Sequence, residues 1–403
     1  EILRCLVGSE MCIRDRAMAG CGNTDNGSAA TGTNAATESA AASDSAASGS
    51  VFKIGGIGPT TGGAAVYGLA VQHGAEIAVE EINAAGGING YQVEFKFQDD
   101  EADAEKSVNA YNALKDWGAQ IIDGSTTSGA CIAVTDKTKE DNMFQITPSG
   151  SAVECVQYDN NFRVCFSNPN QGLASAQYIG ENGLAEKIAV IYDSSDVYSS
   201  GIYEKFAKEA ENQPFEIVAA EAFTADNKTD FSVQLQKAKD AGADMVFLPI
   251  YYQESALILT QAAAMGYAPK WFSCDGMDGI LGGVDNFDVS LTEGVMLLTP
   301  FAADATDDLT QSFVTKYKEK YGDTPNQFAA DSYDAIYVIK AAIEKSGVTP
   351  DMSVSDICDG MKAAMTEITV DGLTGSGMTW TADGEANKAP KAVVIENGAY
   401  KAM

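Results

Sequence analysis

The amino-acid sequence predicts an α/β fold in which parallel sheets are flanked by helices. From residue 51 onwards, short apolar stretches typical of strands alternate with segments of about 10 to 15 residues that have helical spacing. At least six such units precede residue 270, more than one open sheet comfortably holds. Residues 117–122 also resemble residues 241–246, which mildly supports two similar halves.

Each expected strand is a run of apolar or alternating residues, and each expected helix carries apolar residues three or four positions apart. The first helix should end at Gly86 and Gly87, because glycine commonly follows a helix terminus. The expected strands are 51–57, 91–97, 120–122, 143–146, 188–192, 216–220, 245–250 and 270–273. The expected helices are 67–85, 104–117, 128–140, 199–211 and 231–241.

The composition argues against several classes of function. The 403 residues include 57 acidic residues and 26 Lys or Arg, a formal net charge of −31, which disfavours binding to nucleic acid or to anionic lipid. The single histidine, His73, falls inside the first expected helix, so neither a histidine base nor a His-based metal site is expected. The eight cysteines include no Cys-x-x-Cys pair. We therefore expect no metal, no cofactor and no catalytic residue.

The first 50 residues differ in composition from the rest. Residues 1–21 lack the apolar core of a secretory signal, yet they end in Met-Ala-Gly-Cys, which resembles the lipobox of bacterial lipoproteins. We expect Cys21 to carry a lipid and residues 1–16 to stand in place of the native leader; the alternative is a cytoplasmic chain with a chance Ala-Gly-Cys. Residues 22–50 contain 26 Gly, Ala, Ser, Thr or Asn among 29 positions and should form a flexible linker. No apolar stretch reaches the ~18 residues that would span a bilayer.

The glycine-rich stretch 56–62 does not fit a nucleotide site. The third glycine of a dinucleotide fingerprint would fall at Thr61, and the next expected strand ends at Asp99, about twice too far away. The Gly-Lys-Ser/Thr of a phosphate-binding loop is absent from the sequence as well.

Two hydroxyl-rich loops are better candidates for a binding site. The loop 124–130 reads GSTTSGA and the loop 147–151 reads TPSGS, and each follows a buried strand. One such loop alone indicates helix capping, for which Ser and Thr are favoured. Two on neighbouring strands favour an anion site, because ligands of open α/β sheets bind at the carboxyl ends of the strands.

Tyrosines and one acid are expected near the same edges. Tyr67, Tyr198 and the pair 251–252 lie near expected strand ends or helix starts. Each alone suits ordinary packing, but together they favour an aromatic cleft wall. Asp275 follows the expected strand 270–273 and, taken alone, indicates a turn before glycine.

These residues together resemble the type I periplasmic binding proteins, specifically the branched-chain amino acid receptors of ABC importers. The resemblance covers nearly all of residues 51–403. It is carried by GPTTG at 58–62, YG at 67–68, GAEIAVEEINAAGGING at 74–90, TSG at 127–129, DVYSSG at 196–201 and DSYDA at 331–335.

The resemblance implies two Rossmann-like α/β lobes joined by three hinge crossovers, which close on a ligand. Lobe one would comprise 51–172 plus 301–375, and lobe two 173–300 plus 376–403. In the family, hydroxyl groups of lobe one bind the carboxylate of the amino acid. Aromatic side chains line the pocket for its side chain and close over it, and an acidic residue binds its ammonium group. The matching ligand-binding residues are Tyr67, Ser128, Ser149, Ser151, Tyr198, Tyr251 and Asp275.

The implied function is an extracytoplasmic, lipid-anchored binding protein that delivers an amino acid to an ABC permease. A monomer without catalytic activity is expected, whose only contact with the membrane is its lipid anchor. The alternatives are a ligand sensor of the same fold, an α/β enzyme, or the same fold binding an amide, an aromatic acid or a purine.

Two finer expectations concern single residues. The family's loop at 149–151 often reads Ala/Ser-Ala-Thr, and here Gly150 should enlarge the pocket, which leaves a branched-chain preference open. Cys155 and Cys165 flank the turn signal at 159–161, so they are expected either to form a disulfide or to be two small buried residues.

Overall fold

The structure, a computed structural model, describes residues 49–403. Residues 1–48, including Cys21 and nearly all of the expected linker, lie outside this range. The described chain forms two sheets and ten helices, and the predicted α/β fold is confirmed.

The first sheet has five parallel strands in the order β2-β1-β3-β4-β5. These strands are β1 (Phe52–Gly58), β2 (Val93–Asp99), β3 (Ile121–Asp123), β4 (Phe144–Thr147) and β5 (Asn161–Arg163). The helices that pack with this sheet, directly or through α1, are α1 (Ala65–Ala84), α2 (Ala104–Trp117), α3 (Ser128–Asp141), α8 (Asp308–Tyr321), α9 (Gln327–Ser346) and α10 (Val354–Met365). We call this half of the molecule lobe one.

The second sheet has seven strands in the order β12-β11-β10-β9-β8-β6-β7. They are β6 (Lys187–Asp193), β7 (Glu216–Phe223), β8 (Met245–Leu248), β9 (Lys270–Ser273), β10 (Met296–Thr299), β11 (Lys391–Glu396) and β12 (Ala399–Ala402). The helices beside it are α4 (Asn168–Glu181), α5 (Val197–Ala210), α6 (Ser232–Asp240) and α7 (Tyr252–Ala264). This half is lobe two. The sequence pattern did not predict its last three strands, β10, β11 and β12. β11 pairs antiparallel with β10, and β12 pairs antiparallel with β11.

The chain passes between the two halves three times: after β5, after β10 and before β11. Every strand falls inside the predicted boundaries of its lobe. The exact boundaries of the two lobes stay a prediction.

The turn after α1 explains the glycine-rich end of the 74–90 motif. Gly87 adopts a positive φ of 84°, and a Cβ there would lie 2.1 Å from the carbonyl oxygen of Tyr91. The Asn83 side chain bonds both the N–H (2.8 Å) and the carbonyl oxygen (2.9 Å) of Val93, the first residue of β2. The motif therefore fixes how α1 connects to β2.

The DSYDA motif at 331–335 is a structural element on α9. The Asp331 carboxylate forms a buried ion pair with Lys388 at 2.7 Å. Ser332 donates a hydrogen bond to Asp123 at the end of β3 (3.0 Å). Asp334 accepts hydrogen bonds from the backbone N–H groups of Leu373 (2.8 Å) and of the residue after it. These contacts fasten the crossover segments onto lobe one.

The expected disulfide between Cys155 and Cys165 is wrong, because both thiols are buried and free. Cys155 lies in a short 3₁₀ turn, and its Sγ points at the carbonyl oxygen of Ser128, 3.7 Å away. The thiol thus faces the start of α3, and the two cysteines pack as small apolar side chains.

Candidate ligand-binding site

Ser128 and Ser151 meet where α3 begins. The Ser128 Oγ accepts hydrogen bonds from the backbone N–H groups of Ser151 (3.2 Å) and Ala152 (3.1 Å). The two serine hydroxyls lie 3.5 Å apart. The N–H groups and the dipole at a helix start favour an anion, so the two hydroxyl-rich loops form one polar surface.

A buried arginine hydrogen-bonds the loop that carries this polar surface. Arg163, at the end of β5, is 0% exposed, and its guanidinium donates to the carbonyl oxygens of Gly150 (3.2 Å) and Ala152 (2.9 Å). Its charge is balanced by Glu385, whose carboxylate oxygen lies 3.3 Å from Arg163 Nε, so the arginine acts mainly by holding the two carbonyl groups of the loop in place. Sequence reasoning missed Arg163, although a single arginine inside the apolar run 162–166 was an available signal.

The expectation that Gly150 enlarges the pocket is wrong. A Cβ at this position would lie 2.7 Å from Thr147 Oγ1 and 3.0 Å from the Cβ of Cys131. Those two side chains already fill the space, so glycine is needed for close packing. Ser149 instead faces the cleft, while its hydroxyl donates to the carbonyl oxygen of Thr126 (2.7 Å).

Tyr67 ties the two lobes together. From α1 of lobe one, its hydroxyl donates to the carbonyl oxygen of Gly276 and accepts from the N–H of Tyr252 (3.2 Å), both in lobe two. Its ring packs on Phe328 at 4.3 Å and edge-on against Tyr251 at 5.5 Å between centroids. The side chain is fully buried, and this burial raises the pKa of Tyr67 well above its usual value.

Tyr198, Tyr251 and Asp275 form the facing wall in lobe two. The two tyrosine rings stack at 5.0 Å. The Tyr198 hydroxyl donates to one Asp275 oxygen (2.6 Å), and the side-chain amide of Gln171 donates to the other (2.9 Å). Sequence reasoning did not find Gln171, because its position on α4 is far from the acid in the chain.

Asp275 is a buried acid as well as a turn residue. It opens a short 3₁₀ turn and is only 3% exposed. Burial raises the pKa of Asp275 to about 7; the hydrogen bond from Tyr198 opposes the rise, and the nearby Asp331 carboxylate adds to it. Such a group is suited to receive a cation.

One small cavity joins the two walls. The predicted residues that line it are Tyr67, Ser128, Ser149, Tyr198, Tyr251 and Asp275. Ser151 does not line the cavity directly and contributes through its contact with Ser128. Phe328 and Thr127 also line it; Thr127 belongs to the predicted hydroxyl-rich loop 124–130, whereas Phe328 was not identified from the sequence.

Other functional groups are placed elsewhere. His73 stacks on Tyr321 at 3.6 Å on the helical side of lobe one, and burial lowers its pKa. Within residues 49–403 no group of three His, Cys, Asp or Glu side chains is arranged to hold a metal ion. No helix in the same range is long and apolar enough to cross a membrane.

The fold and the site together define a two-lobed solute-binding protein. A family model described as periplasmic binding protein matches residues 51–399. The chain is 30% identical over 300 residues to Leu/Ile/Val-binding protein homolog 3 of Brucella melitensis, covering 74% of this chain and 80% of the relative. It is 30% identical over 302 residues to the leucine-, isoleucine-, valine-, threonine- and alanine-binding protein of Pseudomonas aeruginosa, covering 73% and 78%.

A solved structure agrees with these relatives. It is the branched-chain amino acid transporter substrate-binding protein LivJ of Streptococcus pneumoniae in complex with isoleucine, with a TM-score of 0.79, 28% identity and coverage of 87% of this chain and 98% of that one. The chain belongs to the periplasmic binding protein family and is a type I member of its branched-chain amino acid branch. The prediction of this family is confirmed, and with it an extracytoplasmic, solute-binding role in ABC transport.

Proposed function

We propose that this protein captures a free amino acid between its two lobes and delivers it to an ABC permease. The observation that carries the proposal is the pairing of opposite polarities in one cavity. The hydroxyl-lined start of α3 faces the buried Asp275, which has no ion-pair partner among the described residues. A zwitterion needs both an anion site and an acid only a few ångströms apart.

Each residue then has a role. Ser128 and Ser149 receive the carboxylate, Ser151 positions Ser128, and Arg163 holds the loop that carries them. Asp275 receives the ammonium, because a buried carboxylate gains most from a cation that it can pair with. Tyr67, Tyr198 and Tyr251 enclose the ligand.

The rest of the proposal concerns delivery rather than chemistry. The described residues that line the cavity include no nucleophile paired with a base. We therefore propose that the protein binds its ligand without catalysing a reaction. Ligand contacts to both lobes would favour the closed state that a permease recognises. Attachment through a lipid on Cys21, and action as a monomer, complete the proposal.

A thermal-shift screen tests the ligand class. The protein would first be unfolded and refolded to remove any ligand acquired during expression. It would then be heated with each of the twenty amino acids, with benzoate and with adenine. A ligand at a hundredfold excess over its dissociation constant should stabilise the fold by about 2.7 kcal/mol. Stabilisation by benzoate or adenine and by no amino acid would overturn the proposal.

A further inference from the structure

A second, larger chamber opens outward from the amino-acid site. Its volume is about 320 Å³, against about 10 Å³ for the inner cavity. Thr127 of lobe one and Tyr251 of lobe two line both spaces, so the chamber continues from the inner site. The room for a ligand side chain therefore lies in this outward direction.

Thr127 has an unused hydroxyl at the junction. It occupies the N-cap position of α3, yet its side chain makes no capping hydrogen bond. The residue is only 6% exposed, and its Oγ1 has no hydrogen-bond partner among the residues that the structure describes. Buried hydroxyls are normally paired, so this atom is available to a ligand.

The chamber wall carries four carboxylates, of which two are neutralised. Glu101 pairs with Lys106 at 2.6 Å, and Glu254 pairs with Lys228 at 3.0 Å. The other two, Asp193 and Asp196, have no ion-pair partner within residues 49–403.

Asp193 and Asp196 lie at the carboxyl end of β6 and the start of α5. The Asp193 carboxylate accepts from the N–H (2.8 Å) and hydroxyl (2.6 Å) of Ser195. Asp196 accepts from the N–H of Tyr198 (3.2 Å) and from the side chain of Tyr251, and neither partner carries a positive charge. Burial raises the pKa of Asp196 to about 6, and the charge of Asp193 adds to the rise. Two neighbouring carboxylates that have no paired cation favour the binding of a positively charged group.

The chamber also has an apolar floor. Phe223 and Ile250 line it and are 4% and 2% exposed as whole residues. Long cationic side chains commonly lay their methylene groups along such surfaces while the charged end reaches polar groups. The lining thus combines an apolar path with an acidic end.

We propose that the ligand is an amino acid with a positively charged side chain, which passes between Thr127 and Tyr251 and ends at Asp193 and Asp196. This inference rests on the proposed amino-acid function and narrows its substrate class. It departs from the apolar ligand of the solved relative.

Calorimetric titration with matched ligands tests the inference on the refolded full chain. Lysine and norleucine have the same chain length and differ in the terminal ammonium, as do ornithine and norvaline. At least one basic member should bind ten times more tightly than its apolar counterpart. In Asp196→Asn, which keeps a good helix cap, that preference should fall to twofold or less.

Asp226→Asn is the matched control, because it removes one acidic charge from an exposed position in the nearby loop. This variant should keep the ratio of affinities for the basic ligand and its apolar counterpart within twofold of the wild-type ratio. An equal loss in both variants would show a general field effect and overturn the inference. Tighter binding of norleucine and norvaline would overturn it while the amino-acid function stands. Failure of every amino acid would overturn both.

Discussion

The Tyr198 hydroxyl lies 2.6 Å from a carboxylate oxygen of Asp275 and donates its proton to it. The same hydroxyl accepts the backbone N–H of Gly276 at 2.8 Å. The tyrosine proton is therefore already used in a hydrogen bond to Asp275, and this bond holds the carboxylate in one orientation. An acid fixed in this way, with Gln171 on its other oxygen, loses little freedom when a cation binds.

Ligand binding should depend on pH through Asp275. Its pKa is raised to about 7 in the folded protein, whereas an unfolded aspartate titrates near 3.9. Because the folded pKa is the higher one, Asp275 reduces stability progressively as pH rises from about 4 to about 7. In the folded protein the acid gains the charge that an ammonium needs around pH 7.

The affinity for an amino acid should accordingly fall by roughly tenfold or more between pH 8 and pH 5.5. Calorimetry in two buffers of different ionisation enthalpy should also show proton release on binding at the lower pH. The Asp275→Asn variant should lose the part of both effects that arises at Asp275, which is the whole of them for an amino acid without a basic side chain. Proton release of the same size in that variant would assign the titration to another group.

Tyr67→Phe should weaken binding while keeping the ring packing on Phe328. It removes a donor to the carbonyl oxygen of Gly276 and an acceptor for the N–H of Tyr252 across the cleft. The loss of two hydrogen bonds of about 1 kcal/mol each predicts an affinity lower by roughly thirtyfold. The comparison is a titration of Tyr158→Phe, which alters a half-buried tyrosine that donates a hydrogen bond to Asp136. Equal amino-acid affinities in the two variants would mean that the hydrogen bonds of Tyr67 between the lobes do not assist closure.

Arg163→Met should destabilise lobe one. The substitution preserves much of the side-chain length but leaves the carbonyl oxygen of Gly150 without its arginine donor and Glu385 without its cation. The carbonyl oxygen of Ala152 keeps the N–H of Cys155 (3.0 Å). Leaving a buried acceptor unpaired costs about 1 to 3 kcal/mol, so the free energy of unfolding should fall by roughly 1 to 3 kcal/mol. Urea denaturation without ligand measures this. An unchanged midpoint would contradict a supporting role.

Tyr251→Ala should weaken binding strongly and change stability little. The ring stacks on Tyr198 and faces Tyr67 at the cleft, where it lines both cavities. Its loss removes a wall of the site rather than part of a closed core. Unchanged affinity with a lowered melting temperature would instead identify Tyr251 as a core residue.

Position along the strands made part of the site predictable. Ser128 and Asp275 follow apolar strands directly, and parallel strands bring their carboxyl ends to one edge. The α/β alternation likewise predicted most strands of both sheets. These signals are local, and they depend on residue spacing that sequence alone displays.

The remaining features depend on contacts between distant segments. Gln171 reaches Asp275 across 104 positions of chain, and Phe328 reaches Tyr67 from α9. The Gly150 expectation failed because Cys131, from another helix, fills the space beside it. The Cys155 expectation failed because a 3₁₀ turn rotates the thiol toward α3. Spacing along the chain carries no information about such packing.

The most direct test of the account is a calorimetric titration of Asp275→Asn at pH 8, with the amino acid that stabilises the wild-type protein most. Asp275 is buried and has no ion-pair partner within residues 49–403, so removing its charge should leave the ligand's ammonium unpaired. We predict an affinity at least about a hundredfold lower, or roughly 2.7 kcal/mol, with no loss of stability in the ligand-free protein. Affinity within threefold of wild type would contradict the claim that this cleft holds an amino-acid zwitterion.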